Sequence, residues 1–168
     1  MGRWVVTAIP QGWMFLHGFG IRQMSADPRA IVASVGLGED VLGAESALPE
    51  YMEKQKQLIG QALKEPFFAG PQPTEFRGAD EAFLFLVRHE VESMGTMTHV
   101  QTYARQGLWV GILTLTARYS DVAEIRPGYD AFVKGLNIAP SQAPQPVPAA
   151  SVNANSSQPA ASLPPKEN

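Results

Sequence analysis

Few residues in this chain could do chemistry. Its three histidines are His17, His89 and His99. A hairpin turning near Met94-Gly95 would bring His89 and His99 together as cross-strand or diagonal neighbours, with Glu90 or Glu92 close in sequence. Two imidazoles are only half of a tetrahedral metal site, and Glu90 points away from His89 on a strand. We therefore expect a pair of half-exposed sheet histidines and no metal. The chain has no cysteine, which excludes disulfides, thiolate catalysis and Cys-ligated zinc. It has no G-x-S-x-G elbow, and Ser34, Ser93 and Ser120 sit in strand, turn and cap contexts. Gly36-Leu37-Gly38 follows a strand, but it is not completed to a GxGxxG and no helix opens behind it, so these glycines read as turn residues. Asp80/Glu81 and Glu90/Glu92 fall on turns or strand edges, with no sign of a buried, shifted carboxylate pair. The residues give no enzyme and call for no cofactor.

The elements that would position such residues are clearer. Glu81 to Ala117 holds three runs of apolar, aromatic and β-branched residues, broken at Gly95 and Gly107, which predicts a three-stranded antiparallel meander. Phe83, Phe85, Val87 and Val91 fall on one face of its first strand and Ala82, Leu84 and Leu86 on the other, so packing on both sides is expected. Upstream, strands are predicted over Arg3–Ile9, Gly18–Met24 and Ala30–Gly36, with a loop over Glu39–Glu45. Leu48–Leu63 is the clearest helix, with Leu48, Tyr51, Met52, Gln55, Leu58, Ile59 and Ala62 as its apolar stripe and Ser46 as N-cap. Phe67–Pro73 reads as a connector and Gln72–Arg77 as an edge strand. Ser120 caps a short turn over Asp121–Ile125, and Pro127 restarts a helix to about Leu136. From Ala139 the composition turns to Pro, Ala, Ser, Gln and Asn, which predicts one domain over residues 1–138 and a disordered tail over 139–168.

Composition narrows the partners. The chain has 168 residues, enough for one domain with a real core, and a net charge of −3 without a basic cluster, a poor match to nucleic acid or an anionic membrane. The N-terminal stretch is too broken for a signal peptide and too short to span a bilayer, so a cytoplasmic location is expected. Two helices sandwiching the sheet and burying both faces is the commoner outcome. The other reading is that one long helix and one short one leave part of the sheet uncovered for a second copy or an apolar helix. Only an uncovered remainder would point to a partner surface.

The element order adds a resemblance. An Ile9-Pro10-x-x-Trp13 signature is followed by the helix LPEYMEKQKQLI, the strand THVQTYARQGLWVGILTLTA and the closing RPGYDAFVKGL. Over about residues 3–138 this resembles the PsbP-like α/β/α sandwich and, within it, the DcrB-like family, which includes the Eag chaperones of type VI secretion. The resemblance implies an α+β fold in which helices sandwich an antiparallel sheet. It also implies a homodimeric chaperone or adaptor that shields the N-terminal transmembrane helices of a secreted effector before they are loaded on the secretion spike. The gripping face carried over by position comprises Phe19, Ile21 and Gln23 on one early strand and Val32 and Ser34 on the next, with Leu84, Leu86 and Gln101 from the meander; Thr102 is a further polar candidate. Under this reading Phe19→Asp or Ile21→Asp should abolish holding and leave the fold intact. The other reading is a non-enzymatic assembly or structural factor for a membrane-associated complex, as in exported PsbP- and DcrB-like proteins.

Overall fold

A computed structural model describes residues 3–16, 20–27, 30, 32–44 and 46–140. The predicted tail therefore lies outside the described residues, apart from Ala139 and Pro140. The meander forms β6 (Glu81–Val91), β7 (Gly95–Gln106) and β8 (Trp109–Arg118). Gly95 and Gly107 take the left-handed φ values of +75° and +61° that their tight turns require, which is why a glycine stands at each break.

The remaining strands extend this centre into a seven-stranded antiparallel sheet. β2 (Trp13–Phe15), β3 (Gly20–Gln23), β4 (Ser34–Val41) and β5 (Phe67–Thr74) complete the order β2-β3-β4-β8-β7-β6-β5. β1 (Trp4–Val6) and β9 (Leu136–Ile138) pair separately as a two-stranded sheet. Antiparallel register holds along the long hairpins, with a shift in β5 between Ala69 and Gln72.

Several boundaries differ from expectation. Glu39–Val41 is strand and not loop, because it pairs with Gly111, Val110 and Trp109 of β8. Gly36 and Gly38 are correspondingly strand residues and not turn residues. The expected connector from Phe67 is β5 itself. The first helix, α1 (Leu48–Ala62), is capped by Ala47 without a side-chain hydrogen bond, so Ser46 does not cap it. The last helix, α2 (Val122–Lys134), runs through Pro127 without a restart and follows a 3-10 turn at Tyr119–Asp121. Pro127 is the sixth residue of α2, inside the helix, where it removes the hydrogen bond to the Ala123 carbonyl.

Each face of the sheet has its own core. On one, Trp13, Ile21, Val35, Leu113 and Leu115 meet Ile125 and Phe132 of α2, with Leu136 and Ile138 of β9. Trp4 packs edge-on against Phe76 and Trp109, at 5.6 and 5.5 Å between ring centres. That packing needs Gly111, where an added Cβ would come 2.5 Å from both indoles. On the other face, Phe85, Val87, Tyr103 and Val110 meet Leu48 and Met52 of α1. The result is the expected α+β arrangement, an antiparallel sheet between helices.

Candidate partner-binding face

On its side of the sheet, α1 packs with residues of β5, β6, β7 and β8. Gly60 and Lys56 lie on the flank of α1 that meets Phe68 of β5. Tyr51, on the opposite flank, donates a hydrogen bond from its hydroxyl to Asp40 Oδ2 of β4 at 2.8 Å. Burial and the nearby Asp40 carboxylate push the Tyr51 hydroxyl pKa well up, so it stays a neutral donor. At 100° per residue, Gln55, Leu58 and Ala62 share that flank with Tyr51. Leu58, expected in the buried stripe, is instead 58% exposed. Ile59 and Leu63 do the packing in its place.

Beyond this flank the face is floored by small and polar residues. Alternation along β4 sends Val35 into the α2-side core, so Ser34, Gly36 and Gly38 face the α1 side. Register then defines two rows across the strands. One runs Arg22, Ser34, Thr116, His99; the next runs Gly20, Gly36, Thr114, Gln101. A Cβ added at Gly36 would meet nothing within 4 Å, so the floor there is open. The trough is bounded by the Tyr51–Ala62 flank on one side and by Met14 of the edge strand β2, 42% exposed, on the other. Gln101 is fixed at the rim of the helix, where its Oε1 accepts a 2.7 Å hydrogen bond from the Tyr103 hydroxyl. Its amide nitrogen is left for another acceptor. Tyr103 is anchored in turn by stacking on Phe85 at 5.6 Å, and its own pKa is raised by burial.

The residues expected to form the grip do not form one surface. Ser34 and Gln101 lie in adjacent rows of the trough. Ile21 is fully buried in the α2-side core, so it is a core residue and not an exposed finger. Gln23 is half-buried and lies on the same side as Ile21 by alternation. Leu84 and Leu86 are half-buried on that side too. Val32 is half-buried just before β4. Thr102 is buried on the α2 side. Phe19 lies outside the described residues. What sequence reasoning missed is the helix flank and the glycine floor. The Leu58 side of α1 is apolar only at intervals, and Gly36 and Gly38 resemble turn residues until their pairing with β8 is known.

The histidines do meet, as register suggested. His89 Nε2 and His99 Nε2 are 3.0 Å apart, and His99 Nδ1 is 3.0 Å from Thr116 Oγ1. Among the described residues no group of three or more His, Cys, Asp or Glu side chains converges to hold a metal.

No protein-family model matches the chain, and no curated protein sequence matches it. Its likeness to known proteins is one of structure. LpqN of Mycobacterium tuberculosis, involved in cell envelope biogenesis, is similar with a TM-score of 0.64 and 15% identity, over 82% of this chain and 83% of that one. PA94 of Pseudomonas aeruginosa is similar with a TM-score of 0.59 and 18% identity, over 86% of this chain and 99% of that one. These likenesses establish a shared fold. CyanoP, the PsbP of the cyanobacterium Synechocystis, aligns at a TM-score of 0.45 and 9% identity over 77% of this chain and 83% of that one, which is too distant to carry an argument.

Proposed function

We propose that the protein is a non-enzymatic chaperone or adaptor that holds an apolar transmembrane helix of a partner in the trough beside α1. The helix would belong to a type VI secretion effector awaiting loading on the secretion spike. The observation that carries this reading is that Leu58 is exposed on the α1 flank that Tyr51 ties to β4, the strand whose α1-side residues include Ser34, Gly36 and Gly38. Between Arg22 and His99 at the ends of one row, the small residues Ser34, Gly36 and Gly38 let a guest backbone approach closely, as small residues do between membrane helices. Gln101, Ser34 and Thr114 offer hydrogen bonds to polar groups of the guest, and Leu58 and Met14 offer apolar contact. Apolar burial contributes about 25 cal/mol per Å2, so a helix laid along the trough gains much of what it lacks in water.

Holding is tested by co-expressing the protein with a soluble carrier fused to a transmembrane helix. The wild type should keep the fusion soluble and co-purify with it. Leu58→Glu should cut recovery about tenfold, while circular dichroism and the melting temperature stay unchanged; full recovery with Leu58→Glu would place the guest elsewhere. Homodimerisation is part of the proposal. It is supported by Phe15, Leu16 and Met24, which expose 55%, 38% and 55% of their surface around β2, the edge strand of the sheet among the described residues. Sedimentation should give a dimer for the wild type and a monomer for Phe15→Glu/Met24→Glu. A sedimentation profile that the double substitution leaves unchanged excludes that edge as the interface.

The likeness to LpqN favours a second reading, an assembly factor for a membrane-associated complex. In that case folded membrane proteins, and not isolated helices, would be recovered with the protein.

A further inference from the structure

The His89–His99 contact has a geometry that matters to the trough. The two ring planes differ by 8° and their centres are 5.1 Å apart, while the facing Nε2 atoms are only 3.0 Å apart. The centres are thus farther apart than the nitrogens by about two ring radii. The rings meet edge to edge in nearly one plane, nitrogen aimed at nitrogen. This arrangement holds one proton between two nitrogens, as an N–H donating to a lone pair. A second proton at that contact would set two N–H groups head-on, and the pair would have to part. The same alignment is wrong for chelation, because lone pairs that point at each other leave no place for a shared metal ion.

His99 is also a floor residue of the trough, at the end of the row Arg22, Ser34, Thr116, His99. We infer that proton uptake by the His89–His99 pair releases the guest, so that the trough is occupied near neutral pH and emptied in mild acid. This rests on the reading of the trough as a helix-holding site. A guest laid over His99 removes water from it, and a charged imidazolium under an apolar segment is penalised. The surroundings reinforce this. From β6, His89 faces His99; from β8, Thr116 faces it and Arg118 stands one row on; from β4 and β3 come Ser34 and Arg22; from β5 comes the apolar Phe68. Lys56 and Glu53 on α1 pair with each other at 2.9 Å. Glu65 and Glu90, with Arg88, line a cleft shared with His89. Already in the free protein, burial and the neighbouring His89 hold the His99 pKa below the ordinary histidine value.

Two measurements on the full chain test this. Imidazole NMR titration of the free protein should show His99 titrating below about 6.5, and its midpoint should rise in His89→Gln. A midpoint that does not move in His89→Gln overturns the coupled pair without reference to any guest. The second measurement uses a carrier protein fused to a leucine–alanine transmembrane helix, bound at about pH 7.5 and about pH 5.5. The wild type should bind roughly threefold or more weakly at the lower pH, whereas His89→Gln/His99→Gln should bind alike at both. Equal binding by the wild type at both values overturns the release mechanism alone. No binding at pH 7.5 overturns the helix-holding reading, and the release mechanism falls with it.

Discussion

At the scale of single residues, burial decides what a substitution can report. Ile21 has no exposed surface and packs between the sheet and α2. Ile21→Asp would bury a carboxylate without a partner, and we predict that it destabilises the fold by about 3 kcal/mol or more instead of selectively blocking a partner. Chemical denaturation measures this; a variant with unchanged stability would mean that the β3 packing is misassigned. His99 gives the fold a pH dependence whose sign follows from its environment. The folded state lowers its pKa, so its contribution is complete above the unfolded value near 6.5 and is lost as pH falls below it. The denaturation midpoint of His99→Gln should therefore fall less than that of the wild type between about pH 7.5 and 5.5. The meeting of His89 and His99 was legible in the sequence, since a turn at Gly95 fixes their spacing. Their head-on alignment was not, because it depends on Thr116 of a third strand holding the His99 ring.

At the scale of elements, what the sequence made plain was what repeats. The meander follows from three apolar runs and two glycines, and α1 from its period. The continuation of β4 through Glu39–Val41 was hidden because GLGED has neither β-branched residues nor alternation; its strand state comes from pairing with β8. The α1 stripe was read too wide on the Tyr51 side, which placed Leu58 and Ala62 inside although both are exposed. α1 also begins without a side-chain cap, at an Ala47 whose φ and ψ of −79° and 146° already suit one. Ala47→Asp should therefore stabilise the protein by about 1 kcal/mol, read from the denaturation midpoint; no gain would show that the first turn is satisfied in another way. Met52→Ala, which removes the centre of the α1 contact, should cost about 2–5 kcal/mol.

At the scale of the whole molecule, the helices and strands were largely anticipated, as was the sandwich they build. The open quadrant was not, because it depends on where α1 lies across the sheet. The approach of Gly60 to Phe68 and a Tyr51–Asp40 hydrogen bond set that position, and neither pairing follows from the helical period of α1. The apolar sheet residues that first suggested a partner are mostly covered, one face by α2 and the other by α1. Leu84 and Leu86 stay half-buried on the α2 side, and the proposed site rests on small and polar residues beside one exposed leucine. The most direct test is to fill the trough. Gly36 sits on a strand with open space above it and no unusual φ, so Gly36→Trp should leave the melting temperature within about 2 °C of the wild type. Recovery of the co-expressed helix fusion should fall about tenfold or more in this variant. Undiminished recovery from a well-folded Gly36→Trp protein would contradict the assignment of the trough as the binding site.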